Sequence, residues 1–303
     1  MKLPIKRPRR ILPAVVLALR NVGYTGPGTV GPELLAFVSR TPANKPRRIL
    51  GSSHKVELSL EVKVLNAVLY MSPADESGFN LCPWAGSCAS LCLGTESGRM
   101  VFNAARVSRV TKSVWLKYFE AHFLAQLHRE LGNLERRARR ADLEPLARLN
   151  GSTDILWERL RLEDGRTLFE AHPALQFVDY TKAPQRARPV LPVNYHVLFS
   201  LSEASGSFQA ALEWLVAGGN AAIVVGDDAR GGKGACKREA QRILDGGALF
   251  GFPTLNGDAH DARHLDPGGH WVVLHAKGRK AQQDESGFTV RPSMHSAMER
   301  VAA

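Results

Sequence analysis

The sequence predicts an α/β fold, and within that class a partial or complete parallel β/α barrel with a cysteine-rich loop after its first core strand. Two patterns favour this prediction. Short apolar runs alternate with stretches of helical periodicity, which is typical of parallel strands joined by helices. The apolar runs also end in polar clusters, as expected where the carboxyl ends of parallel strands share one edge and carry a site.

Residues 1–49 are predicted to form an irregular, basic N-terminal arm. Residues 1–55 contain eleven Lys or Arg against one acid, a net charge of +10 within a chain total of +11. Gly, Pro and Thr are dense in residues 23–29 and 41–46, which favours irregular structure. The charge suggests contact with the phosphates of DNA or RNA, and a solvated extension without a partner is the equally weighted alternative. The basic side chains in question are Lys6, Arg7, Arg9, Arg10, Arg47 and Arg48.

One apolar run, from Ile11 to Leu19, lies inside this arm. It has nine residues and is interrupted by Pro13, whereas a membrane-spanning helix needs about 20 apolar residues. We therefore predict a short buried helix or strand and no membrane contact. Three of the four cysteines are too crowded to pair with one another, which favours a reducing, cytoplasmic location.

The core is predicted to span residues 50–290, before a C-terminal tail at 291–303. Residues 56–70 are rich in β-branched and apolar side chains, which predicts the first strand. Apolar residues then recur at spacings of three and four from Val107 to Leu134, which predicts one long amphipathic helix. Further helices are predicted at 155–161, 207–217 and 233–244.

Later strands are predicted at 146–149, 175–178, 195–199, 221–225, 252–255 and 271–275. Polar residues follow these strands. Because the carboxyl ends of parallel strands lie at one edge of a sheet, we expect these side chains to surround one opening together with the cysteine loop. They are Asn150, Asp154, Asp179, Glu203, Asp227, Asp258, His260, Asp261 and Lys277.

The cysteine loop contains Cys82, Cys88 and Cys92 within eleven residues, beside a Pro and two positions from a Gly. Clustered thiolates of this kind usually hold a metal or an iron–sulfur cluster. A [4Fe–4S] cluster with one open iron, a zinc ion and packed thiols without a metal all stay open. Zinc would require a fourth ligand from a histidine, and the candidates are His54, His172, His196, His260 and His264. Cys236 is predicted to be a lone thiol, with a role as fourth ligand left open.

Two carboxylates and an imidazole lie close together at Asp258, His260 and Asp261. Side chains of these types can act as general acids and bases, so we predict that this cluster is catalytic. Asn, Gly and Asp are also favoured in a turn after a strand for conformational reasons alone. That interpretation is the alternative.

The order of these motifs resembles the "gene product 88" domain family of phages and mobile elements, over roughly residues 50 to 288. The family has no settled activity, so the resemblance implies a phage, prophage or plasmid setting. The segments that carry it are the cysteine loop, 106–123, 150–154, 177–182, 195–203, 257–261, 276–278 and 286–288.

A weaker resemblance is to radical S-adenosylmethionine enzymes, which place three cysteines in the loop after the first strand of a partial β/α barrel. The spacing here is Cx5CxxxC, whereas that family uses CxxxCxxC. The resemblance implies S-adenosylmethionine as a cofactor. Its binding residues would come from Asn150, Asp179, Glu203 and Asp258, with Asp154 and Lys277 at the same edge.

Two functional hypotheses follow. In the first, the protein is an iron–sulfur enzyme of a mobile element, with its site at the mouth of the barrel. In the second, it is a replication or regulatory protein that binds nucleic acid through the basic arm and uses the metal structurally. The sequence makes no prediction about the oligomeric state.

Overall fold

The computed structural model describes residues 9–51, 54–96, 98–184 and 191–302, and these residues form a mixed α/β fold. All the strands named here belong to one sheet. They are β1 (Leu50–Gly51), β2 (Val64–Leu69), β3 (Glu144–Arg148), β4 (Gln176–Thr181), β5 (Tyr195–Ser200), β6 (Ala221–Val225), β7 (Ala248–Leu249), β8 (Phe252–Asn256) and β9 (Trp271–His275).

The sheet is mostly parallel and open. Its order is β1-β2-β3-β4-β5-β6-β9-β8-β7, and every pair from β2 to β8 in that row is parallel. The short strands β1 and β7 pair antiparallel with β2 and β8 at the two edges. The predicted α/β class and parallel sheet are therefore confirmed. A complete barrel is wrong for the described strands, because β9 inserts between β6 and β8 and the β7–β8 hairpin ends the row.

The central strands are buried on both faces. β6 reads Ala-Ala-Ile-Val-Val and β9 reads Trp-Val-Val-Leu-His, and four of the five residues in each are buried. Near-continuous apolar strands of this kind require helices on both sides of a parallel sheet. This is why the sequence identified the central strands well.

The helices of the described residues surround this sheet. None of them is long and apolar enough to cross a membrane. They are α1 (Pro13–Arg20), α2 (Pro32–Ser39), α3 (His54–Ser59), α4 (Leu93–Glu96), α5 (Asn103–Tyr118), α6 (Glu120–Arg140), α7 (Leu168–Ala171), α8 (Ser207–Val216), α9 (Lys233–Asp245), α10 (Arg279–Gln282) and α11 (Pro292–Ala302). The predictions at 207–217 and 233–244 are confirmed by α8 and α9, and α11 occupies the predicted tail.

The predicted long helix is in fact two helices, α5 and α6. They are separated by Phe119, whose backbone leaves the helical region at φ −139° and ψ 51°. The apolar stripe continues across the break because Trp115 and Phe123 pack edge to face with ring centroids 5.4 Å apart. The periodicity alone therefore did not reveal the break.

The predicted helix at 155–161 is wrong, since only a 3₁₀ turn at Trp157–Arg159 forms there. The Asn150 side chain explains the difference. Its Oδ1 accepts hydrogen bonds from the Ile155 backbone N–H at 2.9 Å and from Trp157 Nε1 at 3.1 Å. A donor bonded in this way is removed from a helical ladder, because local side-chain acceptors compete with the helix.

The first predicted strand is shorter than expected. Residues 54–59 form α3, and a 3₁₀ turn at Leu60–Val62 follows it. Lys63 then adopts the left-handed conformation, with φ 58°, and this residue ends the helical turn before β2 begins. β-branched composition at Val56 therefore did not decide the local structure, because tertiary context overrides propensity.

The N-terminal arm is not irregular over the part that the structure describes. Helices α1 and α2 pack on α5, and Val15, Leu19, Leu34 and Val38 are fully buried there. The expectation of a short buried helix at Ile11–Leu19 is confirmed by α1. The approach is close at Gly78, which has φ +84° and where a Cβ would lie 2.4 Å from the backbone of α1. Glycine is needed at this position for both reasons.

Candidate active site at the carboxyl edge of the sheet

A cavity of about 910 Å³ lies at the carboxyl ends of the parallel strands. Six strands supply its wall with their last residues or the residues just after them. These are Tyr70 at β2, Arg148 and Asn150 at β3, Tyr180, Thr181 and Lys182 at β4, Ser200 at β5, Val224 at β6, and Leu274, His275 and Lys277 at β9.

All three clustered cysteines line this cavity. The Cys82 Sγ accepts a hydrogen bond from the Ala74 backbone N–H at 3.3 Å, and the Cys92 Sγ accepts one from the Gly94 N–H at 3.3 Å. Backbone donors of this kind favour the charged form of a thiol. Two of the three sulfur atoms, those of Cys82 and Cys92, therefore already accept hydrogen bonds from backbone N–H groups.

The loop is attached across the whole edge of the sheet. The Ser87 backbone N–H donates to Glu203 Oε1 at 2.5 Å, just after β5. Leu91 packs against a small cluster that contains Ala276 and Ala281, just after β9. The side chains of Glu96 and Lys280 pair at 2.9 Å. These contacts fix the cysteine loop to strands that are distant from β2.

Burial favours the protonated form of two of these thiols, Cys82 and Cys92, as the pKa of each shows. Burial raises the pKa of Cys82 to about 11, and the neighbouring Cys92, Asp154 and Cys88 add to the effect. Burial also raises the pKa of Cys92, whereas Lys182 and Arg109 lower it. Among the described residues, no three His, Cys, Asp or Glu side chains are already arranged to hold a metal ion.

The loop after β3 contains two of the predicted cofactor-binding residues, and both line the cavity. Asn150 donates its backbone N–H to Asp179 Oδ1 at 2.7 Å. Asp154 accepts from Thr181 Oγ1 at 2.7 Å and from the Lys182 backbone N–H at 2.8 Å. Asp179 is fully buried behind the wall, where it also accepts from Tyr195 at 3.0 Å. These polar groups shape the loop.

The corner between β8 and β9 differs. Asp258 lies behind the wall, with one carboxylate oxygen 2.5 Å from His275 Nδ1 and the other paired with Lys277. His275 and Lys277 line the cavity. Of the other two predicted catalytic residues, His260 bonds to Arg263 at 2.8 Å outside the wall. Asp261 is on the wall, and only 1% of its surface is exposed.

Asp261 forms an ion pair with Arg148 at 2.9 Å. Burial lowers the pKa of Arg148, but Asp261 and the other acidic groups around it raise the pKa more, so the guanidinium stays charged. This guanidinium lies over the Tyr180 ring, 5.1 Å from its centroid. Burial raises the pKa of Tyr180 to about 12. The floor of the cavity therefore consists of the neutral phenol of Tyr180 beside the ion pair of Arg148 and Asp261.

Lys182, directly after β4, supplies a cation to the cavity wall. Its Nζ donates to Ser200 Oγ at 3.3 Å and lies 5.1 Å from the centroid of Phe288. Among the described residues, no carboxylate lies within ion-pair distance of this ammonium. Because an ammonium has three donors, Lys182 retains hydrogen-bonding capacity for a ligand.

The fourth-ligand candidates lie elsewhere. His172 Nε2 bonds to His128 Nδ1 at 2.8 Å, and His264 Nε2 bonds to Glu144 at 2.9 Å. Burial lowers the pKa of His196 to about 4. Of the described histidine side chains, only His275 is on the cavity wall, and the side chain of His54 is outside the described part. Cys236 is buried in α9 and donates to Asp227 Oδ1 at 3.6 Å, away from the cavity.

The basic residues of the arm are divided between two environments. Arg47 Nε donates to the Val38 carbonyl at 2.9 Å, and its Nη2 donates to the Arg40 carbonyl at 2.8 Å, so this guanidinium completes the end of α2. Arg9, Arg10 and Arg48 are exposed. Lys6 and Arg7 lie outside the described residues.

Sequence reasoning missed four residues of the wall: Arg148, Tyr180, Lys182 and His275. Arg148, Tyr180 and His275 end a predicted strand or lie within two residues of its end, so their position was available as a signal. Lys182 directly follows β4, which extends three residues beyond the predicted strand. The predicted site consisted mainly of carboxylates, and the cationic and aromatic side chains at the same strand ends were not identified.

Comparison with known proteins gives one match. The family model described as Gene product 88 matches residues 40–292, which is most of the chain. No curated protein and no solved structure matches it.

Proposed function

The chain belongs to the gene product 88 family, and we propose that it is an iron–sulfur enzyme of a phage or mobile element, with the cavity at the carboxyl edge as its active site. One observation carries the proposal. Three cysteines from a single short loop line the same cavity as the ends of six parallel strands. In open parallel sheets this edge is where ligands bind.

The donor set fits an iron–sulfur cluster. Cys82, Cys88 and Cys92 would hold it, because clusters are bound by cysteine thiolates, and hydrogen bonds to the sulfurs tune them. The N–H groups of Ala74 and Gly94 already donate to two of these sulfurs. A cluster held by three cysteines supplies one iron with an open coordination position.

The rest of the wall would bind and orient the substrate. Lys182 offers donors to an acidic group, and the stacked pair of Arg148 and Tyr180 offers a flat surface beside it. Asp154 fixes Lys182 through the backbone N–H of that residue. The attachment of Ser87 to Glu203 covers one side of the opening.

We also interpret the open sheet as the partial barrel that the sequence predicts. β2 and β9 are five positions apart in the sheet, which corresponds to roughly 24 Å in a flat sheet. The loop after β2 nevertheless lines the same cavity as His275 at the end of β9. A curved sheet accounts for this proximity.

Metal analysis after anaerobic purification tests the proposal. We expect about four irons and four sulfides per chain, with broad visible absorption that is lost in Cys88→Ala. Cys236→Ala is the matched control, since that thiol is buried and does not line the cavity, and it should retain the cluster. About one zinc without iron, or loss of iron only in Cys236→Ala, would contradict the proposal.

The use of S-adenosylmethionine is a more specific hypothesis than the iron–sulfur site, and it has its own test. If the protein uses it, the reduced wild-type protein should convert it to 5′-deoxyadenosine and methionine, and Cys88→Ala should not. If the protein contains the iron but does not convert S-adenosylmethionine, the proposal of an iron–sulfur site stands and the proposal of radical chemistry is wrong.

Nucleic-acid binding is the second candidate, favoured by the exposure of Arg9, Arg10 and Arg48. Deletion of the arm is an unsuitable test, because α1 and α2 belong to the core. The triple substitution of these three arginines by Glu should abolish salt-dependent retention on DNA or RNA. Arg47 serves as a contrast, since its guanidinium is used within the protein. Unchanged retention in the triple variant would rule out this surface.

A further inference from the structure

His275 is held in one orientation at the wall of the cavity. It is the last residue of β9, and only 8% of its surface is exposed. Its Nδ1 lies 2.5 Å from Asp258 Oδ2, and the other oxygen of Asp258 pairs with Lys277. The imidazole therefore cannot turn without breaking a short contact to a carboxylate.

This arrangement determines which nitrogen carries the proton. An ionised carboxylate only accepts hydrogen bonds, so Nδ1 must be the protonated nitrogen. Nε2 of the neutral ring then carries a lone pair.

Nε2 of His275 is buried and has no hydrogen-bond partner among the described residues. Burial without a hydrogen bond is unfavourable for such a group. His196 and His295 also have an unpartnered Nε2, but neither lines the cavity. His275 combines the lone pair, the carboxylate on the opposite nitrogen and a place on the wall.

We propose that His275 is the proton acceptor of this cavity, that Asp258 is its positioning residue, and that the ligand presents a hydroxyl or amino hydrogen to Nε2. The proton moves from that oxygen or nitrogen to Nε2, and the electron pair stays on the ligand atom. The resulting imidazolium is stabilised by Asp258. The proposal rests on the proposed function only because it takes this cavity as the active site. It holds whether the cysteines bind an iron–sulfur cluster or zinc.

Carbethoxylation by diethyl pyrocarbonate near neutral pH, followed residue by residue by mass spectrometry on the metal-free full chain, tests the lone pair. His172 is the internal reference, because it is similarly buried and both of its ring nitrogens are bonded. We expect His275 to react at least about tenfold faster than His172, since a hydrogen bond worth about 1.4 kcal/mol protects the reference. A rate equal to that of His172 would overturn the proposal.

Nitrogen-15 NMR of the histidine rings provides the second measurement. The signal of His275 is assigned by its loss in His275→Gln, with His196→Gln as the control. We expect an unprotonated Nε2 in the wild type and a protonated Nε2 in Asp258→Asn, whose amide can donate to Nδ1. A wild-type ring protonated at Nε2 would overturn the assignment. Both measurements use metal-free protein, so their failure is separate from a failure of the iron analysis.

Discussion

Two corners of the cavity use the same kinds of side chain for different purposes. At the β3–β4 corner, formed by Asn150, Asp154 and Asp179, the oxygens accept hydrogen bonds from the loop backbone and from neighbouring side chains. At the β8–β9 corner, formed by Asp258, His275 and Lys277, one carboxylate positions two side chains that face the cavity. The first corner holds the wall together, and the second corner is available to a ligand.

The difference shows that a polar residue at a strand end does not by itself indicate a binding residue. Asp179 lies near the end of β4 and Asp258 follows β8, but Asp179 is fully buried and Asp258 is not. Stability and ligand binding should therefore respond differently to equivalent substitutions at the two corners.

The largest expected effect is at Asp179. Asp179→Ala leaves the Asn150 N–H and the Tyr195 hydroxyl without an acceptor, and we expect a loss of about 3 to 5 kcal/mol in the free energy of unfolding. Urea denaturation measures it. Asp164→Ala, at an exposed carboxylate, should leave stability close to that of the wild type. If the two variants were equally stable, the assignment of the β3–β4 corner as structural would be wrong.

Lys112 is a further buried polar residue with a structural role, and its Nζ donates to the Tyr70 carbonyl at 3.4 Å. Burial lowers its pKa from 10.5 to about 8. Lys112→Met should therefore stabilise the protein by about 2 to 3 kcal/mol at neutral pH, where the wild type buries a charge.

The pH dependence of the free energy of unfolding tests the direction of this effect. The folded pKa of Lys112 is below the unfolded pKa, so the unfolded chain binds the proton more tightly. The wild type should then gain stability relative to Lys112→Met as the pH rises from about 8 to 10.5. Urea midpoints of both proteins over this range measure the gain, and a constant difference would contradict the explanation.

A smaller effect is expected at the β8–β9 corner. Asp258→Asn removes a partly exposed ion pair, and we expect a change of about 1 kcal/mol or less in the free energy of unfolding. Thermal unfolding beside Asp179→Asn measures the contrast. If Asp258→Asn were as destabilising as Asp179→Asn, the two corners would not differ in kind.

The smallest effect is expected at Lys182. Its ammonium makes one hydrogen bond to Ser200 and lies over Phe288, so Lys182→Met should change the free energy of unfolding by less than about 0.5 kcal/mol. Urea denaturation provides the measurement. A large loss would place Lys182 among the structural residues and remove it from the binding surface.

The sequence was sufficient for the central strands, because residues such as 221–225 and 271–275 are apolar throughout and parallel strands are covered on both faces. It was not sufficient for the break at Phe119, since the apolar stripe continues across it. Helix α2 was missed because the Gly and Pro residues around it suggested irregular structure, whereas Pro32 occupies its first helical turn.

The partners of the polar side chains at the strand ends could not be predicted from the sequence. His275 and Asp258 are seventeen residues apart, and Arg148 and Asp261 are further apart still. Which carboxylate meets which cation depends on the order of the strands. The placement of β9 between β6 and β8 brings the end of β9 beside the loop after β8, and no local pattern in the sequence specifies that placement.

The two outermost strands have a consequence for behaviour at high concentration. β1 and β7 are two residues long and run against their neighbours. Long, flat outer strands present a row of unpaired backbone groups that recruits other chains, and short outer strands are one way in which proteins avoid this. The seven parallel strands are thus shielded from end-to-end joining of sheets, and the protein should resist the ordered aggregation to which an extensive, apolar sheet is otherwise prone.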